Sequence, residues 1–256
     1  MSRVLRKRII FALKDLSFKY PLQKNYLFEK LNLAIEYGES VAILCPEGQG
    51  RTTLFKLFLG MEDPTEGRVF INEFPAEKLP NYILNDYRAQ VGFIFANGAL
   101  INNLTIFDNI ALPLRYHGNM DEQSVLDRVE NVLERFSIKE YEKQRPAFVS
   151  AYVRKIAGIA RAFIMTPPVF LLDDIFTGLN RKQIIQLTLN IKETLSISEG
   201  THIYASNDPE MLQHFADRVL LIKEGRLIFD GGFPEFFNSQ DTAVQSYLKN
   251  TMVRTA

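Results

Sequence analysis

One stretch limits what this chain can fold into more than any other: residues 44–53, Leu-Cys-Pro-Glu-Gly-Gln-Gly-Arg-Thr-Thr. The apolar run Val41-Ala42-Ile43 leads into it, and Leu54-Phe55-Lys56-Leu57-Phe58-Leu59 leads out. A buried strand, a loop carrying Gly48 and Gly50, and a helix opening at Thr52-Thr53 form the outline of a phosphate-binding loop. In such a loop, main-chain N–H groups and a helix N-terminus surround the phosphates. The usual pattern is G-x-x-x-x-G-K-[ST]. Here Cys45 stands at the first Gly and Arg51 at the Lys. The shape is kept and the chemistry is altered.

The rest of the chain reads as strands alternating with helices, which predicts an α/β fold with a mostly parallel sheet. Residues 9–19 and 31–35 read as strands, and Tyr37-Gly38-Glu39 turns the chain into the buried strand at 40–44. Asp63-Pro64-Thr65-Glu66-Gly67 is a turn, followed by strands at 68–72 and 91–95. Between residues 97 and 160 the strand pattern stops. Val125, Leu126, Val129, Val132, Leu133 and Phe136 share one helical face there. Asn119 with Glu122 resembles a capping box for that helix. A helix at 150–163 precedes the apolar strand 169–172, which ends in Asp173-Asp174. Ile184, Ile185, Ile191 and Leu195 suit a further helix. Residues 202–205 read as a strand, and Glu224-Gly225 closes a hairpin between 218–223 and 226–229.

Composition excludes several classes. Thirty Lys and Arg balance thirty Asp and Glu, so bulk charge gives no argument for nucleic acid. The basic start (Arg3, Arg6, Lys7, Arg8) reads as a solvated strand edge. Cys45 is the only cysteine, which rules out an intrachain disulfide and a cysteine-held metal and fits a reducing compartment. The N-terminus lacks the apolar run of a signal peptide. Residues 162–172 are broken by Pro167-Pro168 and too short to span a bilayer. The expectation is a soluble chain whose membrane association comes through a partner.

The order of these features resembles the ATP-binding subunit of ABC transporters, over nearly the whole chain from about residue 11 to residue 237. Tyr20 sits where the family stacks an aromatic ring on adenine, and residues 31–38 match the strand and turn before the phosphate loop. Arg161-Ala162, Phe176-Thr177-Gly178-Leu179 and the hairpin at 219–225 match later landmarks. Asn97-Gly98-Ala99-Leu100, the run from Leu104 to Ile110 and Pro113-Leu114-Arg115 look most like one branch. That branch comprises the lipid-asymmetry and mammalian-cell-entry systems, which energise lipid transport across the envelope of diderm bacteria. The resemblance implies a P-loop, RecA-like core with an antiparallel β subdomain (residues 1–96 and 161–256) and an inserted helical subdomain (97–160).

It also implies roles. ATP and Mg²⁺ would be held by Tyr20, Gly48, Gly50, Arg51, Thr52 and Thr53, with Thr52 and Asp173 on the metal. Ser150 would reach the γ-phosphate bound by a partner subunit. Asp174 stands at the general-base position and Asn207 at the switch position. Residues from Ala96 to Leu114 would dock a membrane permease subunit. The chain would work as a homodimer or with a second ATPase, in the cytoplasm on the inner face of the membrane.

Against this pattern the chain departs at nearly every catalytic contact. Arg51 is bulkier and planar where the family has a compact cation. Cys45 adds a side chain to a tight turn. Asp174 replaces Glu, withdrawing the carboxylate by about the length of a C–C bond. A base works within roughly 2.6–3.2 Å of its proton, and a misplacement of about 1 Å costs on the order of a hundredfold. Ala96 replaces the Gln that touches Mg²⁺, and Asn207 the switch His. The signature Leu-Ser-Gly-Gly-Gln becomes Val149-Ser150-Ala151-Tyr152-Val153, and Asn180 replaces an Asp. His117, His202 and His214 have no metal-ligand spacing. The expectation is a degenerate subunit with weakened nucleotide binding and weak or absent hydrolysis. The alternatives are a slow but active ATPase and a scaffold that never meets nucleotide.

Overall fold

The computed structural model describes residues 9–118, 120–195 and 200–252. The basic residues at positions 3–8 and Asn119 lie outside the described residues. In chain order the elements are β1 (Ile9–Phe18), β2 (Phe28–Glu36), β3 (Ser40–Leu44), α1 (Arg51–Phe58), β4 (Glu66–Ile71), β5 (Phe74–Pro75) and α2 (Asn81–Ala89). They continue as β6 (Val91–Ile94), α3 (Ile106–His117), α4 (Glu122–Arg135), α5 (Ala151–Phe163), β7 (Val169–Asp173) and α6 (Arg181–Leu195). The last are β8 (Thr201–Ser206), α7 (Pro209–Leu212), β9 (Arg218–Lys223), β10 (Arg226–Gly232), α8 (Phe233–Phe237) and α9 (Thr242–Met252). Among the described residues, no helix is long and apolar enough to cross a membrane.

The chain divides into two compact units, residues 1–88 with 201–256 and residues 89–200. The first contains an antiparallel sheet in the order β2-β1-β4-β5. Its second group of strands places β3 between β8 and β9, parallel to both, with β10 antiparallel on β9. A strand flanked on both sides in this way is buried along both faces and reads as an unbroken apolar run. Val41, Ala42, Ile43 and Leu44 are accordingly inaccessible to solvent. The register sets Leu44 beside both Ser206 and Leu221, so β3 and β8 end together alongside β9 where the phosphate loop begins. Phe11 stacks on Phe58 at 4.6 Å between ring centroids, packing α1 onto the antiparallel sheet.

The second unit pairs β6 with β7 in parallel and holds α3, α4, α5 and α6. In α4, Val125, Val129, Leu133 and the C-cap Phe136 are buried while Leu126 and Val132 are half-buried, so the apolar stripe faces the core as its spacing predicts. The cap is different from the expected one. Asp121 is the N-cap, accepting the Ser124 amide at 2.9 Å. In α6, the helix expected from these apolar positions, the core face is carried by Leu187, Ile191 and Leu195, while Ile185 is exposed.

Asn109, wholly buried on α3, shapes the loop before it. Its Oδ1 accepts the Ile101 amide at 2.7 Å, and its Nδ2 donates to the carbonyls of Thr105 (2.8 Å) and Ile101 (3.1 Å). Arg161 on α5 holds the other end, donating from Nη2 to the carbonyls of Ala99 (2.9 Å) and Gly98 (3.2 Å). Gly98 lies against Gly158, where an added methyl group would meet the Gly98 carbonyl oxygen at 2.4 Å. The segment expected to dock a permease is thus moulded by buried Asn109 on α3 and half-buried Arg161 on α5.

Candidate functional site

In the first unit, β3 delivers the chain into the phosphate loop. The Cys45 amide donates to Ser206 O at 3.1 Å, and the Cys45 thiol donates to Gln49 O at 3.3 Å. Cys45 is buried. Its side chain therefore turns into the core and closes the loop from beneath, instead of crowding the turn as its size suggests. Gly48 and Gly50 both have positive φ, +77° and +100°. At Gly50 a Cβ would stand 2.6 Å from Phe28 Cζ, so this position demands glycine for conformation and for space. Gln49 Oε1 accepts the Glu224 amide at 2.8 Å, tying the loop to the β9–β10 hairpin.

Gly50 is also the N-cap of α1, and no capping side chain bonds to the amides of the first turn. A helix start leaves its first N–H groups without intrahelical partners, and an anion is well placed to accept them. Tyr20 and Thr53, both expected at the nucleotide, are brought together: their hydroxyls lie 2.7 Å apart. Thr52 follows Arg51 in the first turn, half-buried.

Arg51 itself is half-buried, and its Nη1 has no access to solvent. Its charge acts on Tyr247, a residue of α9 that motif reasoning passed over. Burial pushes the Tyr247 phenol well above its ordinary range, with the Cys45 side chain adding to this and Arg51 opposing it. Tyr247 donates its O–H to the main-chain carbonyl of Asn207 at 2.8 Å. Tyr247 thus bonds the main chain at the substituted switch position and feels the charge of the substituted cation. Beside it, Pro46, Glu47, Gly48 and Gln49 of the loop face Asn250 and Thr251 of α9 across a cavity of about 770 Å³.

The second unit holds the acidic pair. Asp173 ends β7 and is 5% exposed, and Asp174 follows in the left-handed region at φ +50°, which a short polar residue tolerates. Ser150 is the N-cap of α5: the Val153 amide donates to its Oγ at 3.2 Å. Tyr152 lies half-buried in the first turn, where burial raises its phenol. Asn180 and Gln183 exchange amide and side-chain bonds at 3.0 Å, a reciprocal cap for α6. Ala96 is half-buried and has no polar side-chain atom to offer.

The histidines stand apart from this chemistry. His202 lies in β8, and burial lowers it to about 4, leaving it neutral. His117 and His214 are exposed. Among the described residues, no group of three or more His, Cys, Asp or Glu is placed to hold a metal. Mg²⁺ commonly takes one or two protein ligands and completes its shell with phosphate and water. Thr52 in the first unit and Asp173 in the second each carry an oxygen donor of that kind. The main chain of the loop fits a phosphate group, its glycines giving the conformation and α1 the amides of its first turn.

A family model described as ABC transporter matches residues 28–177. The intermembrane phospholipid transport system ATP-binding protein MlaF of Haemophilus influenzae is 30% identical over 243 residues, 94% of this chain and 90% of that protein. The sulfate/thiosulfate import ATP-binding protein CysA 2 of Rhizobium meliloti is 32% identical over 202 residues, which are 78% of this chain and 54% of that protein. Among solved structures, the dimeric post-hydrolysis state of the ATP-binding cassette MJ0796 bound to ADP and Pi aligns with a TM-score of 0.79 at 25% identity. That alignment covers 88% of this chain and 99% of the other.

Proposed function

Since this chain belongs to the ABC transporter family, we propose that it is the ATP-binding-type subunit of an envelope lipid transporter in which hydrolysis has been weakened or lost. The lipid assignment rests on the likeness to MlaF, whose name is that of a phospholipid transport protein. The observation that carries the weakened chemistry is Arg51, a half-buried guanidinium at the position of the phosphate-loop Lys, with its Nη1 out of reach of solvent.

In this reading, ATP brings the phosphates and Mg²⁺ neutralises their charge when both are bound. The main chain of residues 48–52 holds the phosphate, Tyr20 supplies a ring for adenine, and Thr52 and Asp173 supply oxygens to the metal. Asp174 is short for its task as general base. Residues 96–114 dock the permease on the inner face of the membrane, and subunits pair as homodimer or heterodimer. The helical subdomain is residues 97–160.

The test is equilibrium binding of a fluorescent ATP analogue to the purified protein, with phosphate release measured in the presence of the membrane subunit. Binding without release supports the proposal. Release abolished by Asp174→Ala supports a slow ATPase instead, and no binding at millimolar analogue supports the scaffold. Arg115 is a poor probe of docking, because it bridges Asp108 and Glu122 between α3 and α4. Exposed Ile101 is the cleaner one, and Ile101→Glu is expected to abolish co-purification with the permease while leaving the fold intact.

A further inference from the structure

Lys155 stands five residues after the α5 N-cap and is only 6% exposed. Lysine is almost never this buried unless its charge is answered. Its Nζ donates to the Thr177 carbonyl at 2.5 Å, reaching the turn that follows the acidic pair. That turn is tightly specified. Asp174 and Gly178 have positive φ, Ile175 and Phe176 are buried, and the Leu179 amide closes onto Phe176 O at 3.2 Å. Burial pulls the Lys155 ammonium below its ordinary range, and the charge of Asp174 pushes it back up.

We propose that Lys155 is a positioning residue for the acidic turn: its ammonium ties the Thr177 carbonyl to α5 and sets a cation of the chain's own beside Asp174. The inference rests on the reading of Asp174 as the general-base position. The tie holds the main chain that follows Asp174, and so bears on where that carboxylate stands. It also links the turn to the helix whose half-buried Arg161 grips Gly98 and Ala99 at the start of the permease-docking segment.

The experiment uses the full chain with Lys155→Met and Lys155→Arg, each alone and combined with Asp174→Asn. Hydrogen exchange of the amides at 175–179 is followed by mass spectrometry, and unfolding by urea. Lys155→Met is expected to speed exchange in that segment at least tenfold. Lys155→Arg, which keeps a donor and the charge, is expected to restore most of the protection. The effect of Lys155→Met on the unfolding equilibrium constant is expected to shrink at least threefold when it is measured in the Asp174→Asn variant. Equal loss from Met and Arg, or an unchanged Met effect in the Asp174→Asn background, overturns the proposal and leaves Lys155 a packing residue. Binding of the ATP analogue to the wild-type chain is scored separately, so a failure of the nucleotide reading is distinguishable from a failure of this one.

Discussion

The chain has two helix starts where its sequence leads one to expect phosphate, and they are built in opposite ways. At α1 the cap is Gly50, with φ +100° and no side-chain bond to the first turn. At α5 the cap is Ser150, whose hydroxyl oxygen accepts the Val153 amide, with Tyr152 in the first turn. A helix N-terminus attracts an anion because its first amides lack intrahelical partners. Gly50 has no side chain to answer them, whereas Ser150 answers one of them from its own chain. The contrast teaches that retention of a motif's shape and retention of its chemistry are separable. The phosphate loop keeps its glycines and its helix start, while its side-chain cation is a half-buried guanidinium. The signature segment keeps a serine that also serves its own helix.

The sharpest way to break this comparison is at Gly50. Gly50→Ala forces a Cβ into a left-handed conformation and to within 2.6 Å of Phe28 Cζ. Strain and overpacking together should lower the free energy of unfolding by about 2–4 kcal/mol, measured in urea. Binding of the ATP analogue should be lost with it. Gly48→Ala is the control: nothing lies within 4 Å of its Cβ, so only the backbone penalty of about 1–2 kcal/mol remains. Equal effects at the two glycines would mean that the close approach of Phe28 does not matter.

Next in size is Arg51→Lys. A compact ammonium on a flexible stem is the cation the phosphate-loop pattern ordinarily carries, and it is expected to serve the phosphate better than a bulkier planar guanidinium. The expected gain is about tenfold in affinity for the ATP analogue, ~1.4 kcal/mol. An unchanged affinity would mean that the guanidinium already serves the phosphate from where it lies. At the other helix start, Ser150→Ala should remove about 1 kcal/mol of stability by loss of the cap, and leave analogue binding by the isolated chain unaltered. A drop in binding there would contradict the division of labour between the two helix starts.

Much of the fold was legible because it is written locally. The unbroken apolar run of β3 announces a strand flanked on both sides, and the stripe of α4 announces its buried face. What escaped is chemistry made by distance along the chain. Lys155 meets Thr177, and Tyr247 meets Asn207, through tertiary packing that no spacing encodes. Pro113 lies inside α3 and disguises it as a break in structure. Ile185 is apolar yet exposed, so its residue type suits α6 without telling which side of the helix it takes. Cys45 shows the same limit in the candidate site: its size was legible, but not its direction.

The smallest effect is expected at Tyr20, and it separates two roles that one side chain combines. The phenol hydroxyl lies 2.7 Å from Thr53 Oγ1, at the start of α1, and the ring is half-buried with an edge-on contact to Phe18 at 5.0 Å. Tyr20→Phe removes only the hydroxyl. A partly exposed neutral hydrogen bond contributes little net stability, so the loss should be about 0.5 kcal/mol in urea unfolding. If the ring's face is what adenine meets, analogue affinity in Tyr20→Phe should stay within about threefold of wild type, since stacking needs no hydroxyl. Tyr20→Ala removes ring and hydroxyl together and should weaken binding further. A tenfold loss already in Tyr20→Phe would shift the weight to Thr53: the hydroxyl pair would then be what sets the first turn of α1, and the open helix start would depend on a side-chain bond after all.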